Sequence, residues 1–520
     1  MKRFKQYFPL LFAIMALAFG CISCETEEPE LKFLISVSTE ELEFDSNGVK
    51  TIDVAFAANM DFSVAAEASW CKVVLKSEKE DYQRTYTISC EPNNLPEPRE
   101  TVIKVVAKGN VERSIPVIQS GYSPAIEPEP VPDPEPDPEP EPEPELTPLT
   151  VDMVHNALGL GWNLGNQLDA HIDGVANETS WGNPAVTKAL FDAVSRAGFT
   201  SVRIPVTWMG HVGPAPDYTI EAGWLNRVAE VVDYAESAGL RVIINMHHDG
   251  ADSNYWLDIK RAATDNAVNT RVEAQIAAIW TQVAKKFADK GEFLIFESMN
   301  EIHDGGWGWG ANRTDGGKQY RTFNHWQQVF VDAVRATGGK NLARWLGIPT
   351  YCTNIDLGAN LTLPTDPSQR IMVAVHCYEP YDFTLAAKYS EWGHTGAAGL
   401  KAASDEKTLI GEFDKVVTRW ISRGIPVYIG EFGCVRRDTE RSEAFRKYYL
   451  EYFTKAATDR RIPVLYWDNG YAGAGSEQSG LFNRTDGSYF NNASEVVGVM
   501  TRGYFSPTLT LNSVYNSAPQ

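Results

Sequence analysis

The run Phe293-Leu294-Ile295-Phe296-Glu297-Ser298-Met299-Asn300-Glu301 decides the architecture. It opens as an apolar segment of strand length and closes on Asn-Glu. Ile302-His303-Asp304 and a glycine-tryptophan segment, Gly305-Gly306-Trp307-Gly308-Trp309-Gly310, follow directly. An apolar strand that stops on a carboxylate and opens into such a loop sets an ionisable group where core meets solvent. The stretch Ile425-Pro426-Val427-Tyr428-Ile429-Gly430-Glu431-Phe432-Gly433 repeats the arrangement.

Six further β-type runs flank these two between 149 and 520. They are Gly159–Leu164, Ser201–Val206, Arg241–His247, Ala343–Ile348, Ile371–His376 and Val464–Trp467. Helical patterns separate most of them. One begins at the cap-like Asn183-Pro184 and ends at Ala197-Gly198. A second carries Trp224, Leu225, Val228, Val231, Val232 and Ala235 at helical period and stops at Gly239. Others cover about 271 to 289, 321 to 336, 405 to 423 and 438 to 457. Eight strands alternating with helices predict an α/β fold, a (β/α)8 TIM barrel over 149–520. A doubly wound sheet competes, but no Gly-rich phosphate loop follows the first strand. Polar residues gather where barrel chemistry sits, at strand ends: Asn163, Arg203, His247, Asn300, Glu301, His376, Tyr378, Glu431 and Trp467.

Upstream, residues 123–148 are Pro/Glu/Asp-rich and cannot form a core. Alternating proline enforces polyproline II, and about 3.1 Å per residue gives the stretch 127–145 roughly 60 Å of reach. Residues 31–122 hold short alternating runs (33–37, 51–56, 86–90, 101–106, 115–119) with turns at Ser46-Asn47-Gly48 and Lys108-Gly109-Asn110, the pattern of a small all-β sandwich. Trp70 reads as core. Ala68-Ser69-Trp70-Cys71-Lys72-Val73, Arg99-Glu100-Thr101 and the closing Val117–Gly121 resemble the BACON domain. The resemblance implies carbohydrate binding; a spacer that lifts the enzyme off a membrane is an equal reading.

At the start, Lys2, Arg3 and Lys5 precede an apolar run from Phe8 to Gly20, a signal-peptide pattern for 1–24. Cys21 and Cys24 follow. Ser23 before and Glu25-Thr26-Glu27-Glu28 after favour lipidation at Cys24 and resemble a Bacteroidetes surface-lipoprotein signal. The expected location is the outer membrane, facing outward, with a lipid anchor as the membrane contact. The other cysteines, Cys71, Cys90, Cys352, Cys377 and Cys434, are odd in number and lack metal-like spacing, so they read as buried free thiols. Net charge is −21, with nine acids and no base between 127 and 145. That balance excludes a nucleic-acid partner, whose phosphates require Lys and Arg. The 14 Trp and 21 Tyr suit sugar faces wherever a Trp lies beside a strand end.

Hydrolysis of a glycosidic bond needs two carboxyls flanking it, one giving a proton and one acting as nucleophile or base. Glu301 and Glu431, three strands apart on the ring, fill those places, with Arg203 placed to keep Glu431 anionic. The full pattern resembles glycoside hydrolase family 5 and its β-1,4-glucanase branch over about 155–500. It rests on Gly161–Asn166, Trp181-Gly182-Asn183-Pro184, Val202–Pro205, Asn245-Met246-His247-His248, Met299-Asn300-Glu301, His376-Cys377-Tyr378, Ile429–Gly433 and Tyr466–Gly470. The resemblance implies a retaining endo-β-1,4-glucanase acting on cellulose-type glucan, mixed-linkage glucan or xyloglucan. Glu301 would be acid/base and Glu431 nucleophile. Substrate-binding residues would be Asn163, Trp181, Arg203, His247, His248, Asn300, His376, Tyr378, Trp467 and Asn469. Glu297 reads as an interior carboxylate and Glu412 as a solvated helix residue. The loop tryptophans Trp181, Trp307, Trp309 and Trp392 divide between sugar subsites and loop packing. No cofactor or metal is expected, the histidines lacking a ligand constellation, and a monomer is expected. A glycan-binding lipoprotein with an inert barrel is the reading from another class.

Overall fold

The computed structural model describes residues 35–39, 41–58, 60–79, 82–107, 111–122 and 146–520, in two compact units. The leader with Cys21 and Cys24, the acidic proline-rich stretch 123–145 and the Lys108-Gly109-Asn110 turn lie outside them.

The first unit is a sandwich of two four-stranded sheets. Its strands are β1 (Ile35–Val37), β2 (Leu42–Phe44), β3 (Thr51–Ala58), β4 (Phe62–Ala66), β5 (Cys71–Lys79), β6 (Gln83–Cys90), β7 (Arg99–Ala107) and β8 (Val111–Gln119). One sheet has the order β1-β3-β6-β5 and the other β2-β8-β7-β4. Period-2 alternation turns Val54, Phe56, Ile88, Ile103, Val105, Ile115 and Val117 into a shared core. Three strands escape the sequence reading. β2 is three residues long, β4 is a short run of small residues, and β5 is exposed over most of its length. Trp70 is half-buried rather than core, lying under the Arg99 guanidinium at 4.3 Å.

The second unit is a closed barrel of eight parallel strands. Helix α1 (Val151–Leu158) comes first, capped by the Thr150 hydroxyl, which accepts from the Met153 amide. Its Val154 and Leu158 join Ile243, Ile295, Met372, Tyr428 and Leu465 in one apolar cluster within the barrel strands. Strand β9 (Leu160–Leu164) follows. A hairpin of β10 (His171–Ile172) and β11 (Val175–Ala176) leads to α2 (Lys188–Arg196). Then come β12 (Ser201–Ile204), α3 (Ala222–Ser237), β13 (Arg241–Ile244), α4 (Ile259–Ala262), α5 (Asn266–Lys286) and β14 (Leu294–Glu297). The circuit continues through α6 (Lys318–Arg335), α7 (Lys340–Ala343), β15 (Leu346–Asn354), β16 (Ile371–His376), α8 (Tyr381–Thr384) and α9 (Glu406–Arg419). Strand β17 (Val427–Phe432), α10 (Glu440–Thr458), β18 (Val464–Asp468), α11 (Ala493–Phe505) and α12 (Leu511–Asn516) complete it. The hydrogen-bonded ring runs β12 to β18 and closes through β9.

Three expectations are corrected, and one that was open is decided. The fourth barrel strand ends at Glu297, so Glu301 stands on the loop four residues beyond it. The fifth strand starts at Leu346, not Ala343, and runs to Asn354 through a bulge after Pro349. The helix expected at Asn183-Pro184 begins at Lys188 with Thr187 as cap. Asn183 instead donates from Nδ2 to the carbonyls of Asn166 and Asn469, tying two loops together. Trp392 is fully buried against Tyr448, Tyr449 and Tyr452, so it is a packing residue.

Candidate active site

The C-terminal ends of the barrel strands open onto a cavity of about 840 Å3. Its lining includes His247, His248, Asn300, Glu301, His376, Tyr378, Glu431 and Trp467, brought from five strands and their loops.

Arg203 on β12 organises its floor. The side chain is fully buried and every nitrogen is bonded. Nε and NH2 donate to Glu297, NH2 also to Asn300 Oδ1 at 2.7 Å, and NH1 to Asn163 Oδ1 at 3.1 Å and Glu431 Oε1 at 2.7 Å. Asn163, also fully buried, spends its Nδ2 on the carbonyls of Gly430, Leu465 and Tyr466. As sugar contacts Asn163 and Arg203 are corrected, since neither has a polar side-chain atom free; Arg203 orients Glu431, as expected of it, and Asn163 fixes Arg203. Burial alone would raise the Glu297 carboxyl, but the Arg203 charge and hydrogen bonds take it below the usual carboxylate range. Glu297 thus stays an interior anion, held also by the Tyr428 hydroxyl at 2.6 Å.

This bonding fixes two cavity-facing donors. Asn300 Oδ1 accepts from Arg203 NH2, so its Nδ2 faces the cavity. Asn245 accepts from the Val206 amide at Oδ1, so its Nδ2 donates to Glu297 Oε1 and to His247 Nδ1. His247 is therefore neutral, with its proton on Nε2. Burial, then the charges of His248 and Arg203, push its pKa well down, in agreement. Its ring lies parallel to Trp467, centroids 5.8 Å apart. Gly165 allows the indole to lie there, since a Cβ would meet Trp467 Cζ2 at 2.8 Å.

One oxygen of Glu301 and one of Glu431 lie within 4.8 Å of each other, with His376 Nδ1 between. His376 Nδ1 is 2.6 Å from Glu301 Oε1 and 3.6 Å from Glu431 Oε2. The Tyr378 hydroxyl donates to Glu431 Oε2 at 2.9 Å, so both Glu431 oxygens have donors. On Glu301 only Oε1 is engaged, by His376 and by Thr353 Oγ1 at 3.3 Å. Burial raises Glu431 against the opposing charges of His376 and Arg203. Burial acts likewise on Glu301, but there the His376 hydrogen bond and charge prevail and lower it. That order is the reverse of what a proton donor at Glu301 requires, and it depends on a charged His376. The charge of His376 lowers Glu431 as well, so its loss withdraws the pull from both carboxyls and leaves Glu431 as the one still hydrogen-bonded by Arg203 and Tyr378.

The remaining sequence candidates separate. His248 lines the cavity beside Trp181, ring centroids 5.3 Å apart. Trp181 is half-buried behind it, with Nε1 spent on the His171 carbonyl. Asn469 is corrected from sugar contact to loop anchor: it is buried, donates to the Glu477 carbonyl and accepts from the Tyr471 and Ser479 amides. Glu412 is not simply solvated; it pairs with Lys415 and lines the cavity. Sequence reading misses Thr353, which follows a bulge and lies at φ 46°, and Glu477, at φ 59°. Neither stands in a motif, and backbone geometry alone places them. Folding also gathers Asp169, His247 and His248, with ligand atoms within 4.8 Å, correcting the expectation that the histidines lack a ligand constellation. Of this group, Asp169 accepts from the Asn166 and Gln167 amides, and His247 Nδ1 accepts from Asn245.

A parallel eight-stranded barrel with two facing carboxyls at its open end is the arrangement of a glycoside hydrolase, and oxygens within 4.8 Å suit the closer, retaining spacing of about 5–5.5 Å. Residues 168–473 match the family described as Cellulase (glycosyl hydrolase family 5), and residues 47–120 match BACON, described as a putative N-terminal binding domain. Endoglucanase A of Paenibacillus barcinonensis is 39% identical over 364 residues, 66% of this chain and 87% of that protein. The xyloglucan-specific endo-beta-1,4-glucanase BoGH5A of Bacteroides ovatus is 32% identical over 505 residues, 93% of this chain and 95% of that protein. Among solved structures, a GH5-4 broad specificity endoglucanase from Bacteroides salanitronis is 62% identical with a TM-score of 0.68, covering 70% of this chain and 97% of that one. The chain belongs to glycosyl hydrolase family 5.

Proposed function

We propose that this protein is an endo-acting β-1,4-glucanase working by retaining double displacement, with Glu301 as acid/base and Glu431 as nucleophile. The observation that carries the reading is the pair of carboxyl oxygens within 4.8 Å, one carboxyl saturated with donors and the other with an oxygen free. A Glu431 oxygen attacks the anomeric carbon while Glu301 passes its proton to the departing glycosidic oxygen. A covalent glycosyl–Glu431 ester results. Glu301, now ionised, takes a proton from water, whose oxygen attacks the anomeric carbon and releases Glu431. Asn300 Nδ2 and His247 Nε2 supply donors to sugar hydroxyls, and Trp467 supplies the apolar floor. The substrate is a β-1,4-glucan backbone, in keeping with relatives named as an endoglucanase, a xyloglucan-specific endo-beta-1,4-glucanase and a broad specificity endoglucanase.

Purified Glu301→Gln and Glu431→Gln proteins are expected to lose at least about 10³ in kcat on barley glucan, with the fold intact by circular dichroism. Reducing-sugar release surviving both changes contradicts the assignment, and no release by the unsubstituted protein favours the binding-protein reading. Rates on xyloglucan and carboxymethylcellulose in the same assay rank the substrates.

We also propose an outer-membrane lipoprotein anchored at Cys24. Its support is the basic start, the apolar run and the acidic residues after the cysteine. Radioactive palmitate incorporation that Cys24→Ala abolishes is expected; label that persists in that variant moves the anchor to Cys21.

A further inference from the structure

Two of the five free cysteines among the described residues face each other. Cys71, first residue of β5, is the register partner of Cys90, last residue of β6. The surrounding hydrogen bonds show which kind of pair this is. The Cys71 amide donates to the Ala68 carbonyl, not across the ladder, and the Glu91 amide donates to the Trp70 carbonyl at 2.8 Å. Those bonds bracket Cys71 and Cys90 as a non-hydrogen-bonded antiparallel pair, the kind with Cα atoms about 4.5 Å apart and side chains closest. Disulfides span Cα separations of about 4.4–6.8 Å. Both side chains point into the sandwich core, 5% and 4% exposed. By contrast, Cys352 and Cys377 line the barrel cavity, and Cys434 is buried in the barrel.

We propose that Cys71 and Cys90 form a cross-strand disulfide when the chain folds in contact with an oxidising disulfide pool. One thiol loses its proton and attacks a sulfur of the oxidant's disulfide, giving a mixed disulfide and releasing one oxidant thiol. The second cysteine, as thiolate, displaces the other oxidant thiol and closes the bond. Two electrons and two protons pass to the oxidant. The exchange occurs before β5 is seated, because burial raises both thiols in the folded sheet and holds them as poor nucleophiles, Cys90 up to about 12. The purpose follows from topology. Strand β5 is an edge strand, last in the order β1-β3-β6-β5, and most of its residues are exposed. A covalent staple at its start fixes its register and keeps a bare edge from peeling away. This inference does not depend on the glucanase reading.

The test uses the full chain, refolded in a buffer of oxidised and reduced glutathione, quenched with acid, then denatured with excess maleimide and digested. Mass spectrometry is expected to find the Cys71 and Cys90 peptides joined, two hydrogens lighter than the separate thiol peptides, with Cys352, Cys377 and Cys434 labelled. Labelling of Cys71 and Cys90 to the same extent as those three overturns the proposal, as does linkage of either to another cysteine. A second readout is melting of the sandwich in the same full chain. Dithiothreitol is expected to lower that transition by at least about 5 °C. The Cys71→Val/Cys90→Val double variant removes the dependence on reductant, and an unchanged transition in the unsubstituted chain contradicts a stabilising bond.

Discussion

Arg203 binds two carboxylates at once, and the geometry around Glu431 depends on how it divides its five N–H groups. It pairs with Glu297 at 2.7 Å and with Glu431 at 2.7 Å, all buried. A lysine offers one compact cation and cannot hold Glu297, Glu431, Asn163 and Asn300 together. Arg203→Lys is therefore expected to lower kcat on barley glucan by at least about 10² with KM within about twofold, because no Arg203 atom lines the cavity. Equal loss in both constants contradicts the positioning role. Arg203→Met leaves Glu297 as an unpaired buried charge and is expected to cost about 3–5 kcal/mol of stability by denaturant titration. The sequence displays the Arg203–Glu431 relation, since both stand at strand ends. It hides the shared pairing with Glu297, because a side chain reaching across a barrel interior leaves no trace in linear spacing. Glu301 illustrates the same limit: the motif marks it, yet only the folded chain shows it standing beyond the strand.

Among the elements, the loop from Glu301 to Gly310 and the segment after β13 have distinct tasks. Trp307 and Trp309 are 56% and 77% exposed and line the cavity. His303 covers Trp307 with ring centroids 4.3 Å apart, and the Arg313 guanidinium covers Trp309 at 4.4 Å. Each indole is thus propped in place while much of its surface stays open to a sugar ring. Trp307→Ala and Trp309→Ala are each expected to raise KM about 3- to 10-fold with kcat nearly kept, measured on soluble glucan. An unchanged KM in both returns them to loop packing. Asp249 follows β13 and is fully buried, accepting from the Trp208 amide and from Trp256 Nε1. Burial pushes its carboxyl from 3.8 to about 6. A folded value above the unfolded one stabilises at low pH, and that contribution disappears as pH rises from about 4 to about 6, amounting to about 3 kcal/mol. Asp249→Asn is expected to flatten the pH dependence of barrel stability across that window; an unchanged slope contradicts it. Strand existence is readable in this chain because the apolar runs are continuous, as in Ile371–His376. Boundaries are not: hydrogen bonding ends β14 at Glu297, although the apolar and motif signal continues to Glu301.

At the scale of the molecule, the two architectures are legible because their periods differ: alternation in the sandwich, and apolar strands between amphipathic helices in the barrel. Strand β5 is not legible, since exposure along Glu78 and its neighbours erases the alternation. The site is legible as far as motifs carry it, namely Glu301, Glu431, Asn300, His247, His376, Tyr378 and Trp467. It is not legible where a residue enters by loop conformation, as Thr353 and Glu477 do, or where a polar residue near the site serves the scaffold, as Asn163 and Asn469 do. In the proposed reaction two carboxyls, Glu301 on the loop after β14 and Glu431 on β17, act on one anomeric carbon, Glu431 by covalent attack. A 2-deoxy-2-fluoro-β-cellobioside with a good leaving group tests it directly by trapping the intermediate for peptide mass spectrometry. A stable adduct on Glu431, blocked in Glu431→Gln, is the predicted result. Turnover without any adduct, or an adduct carried by Glu301, contradicts the account.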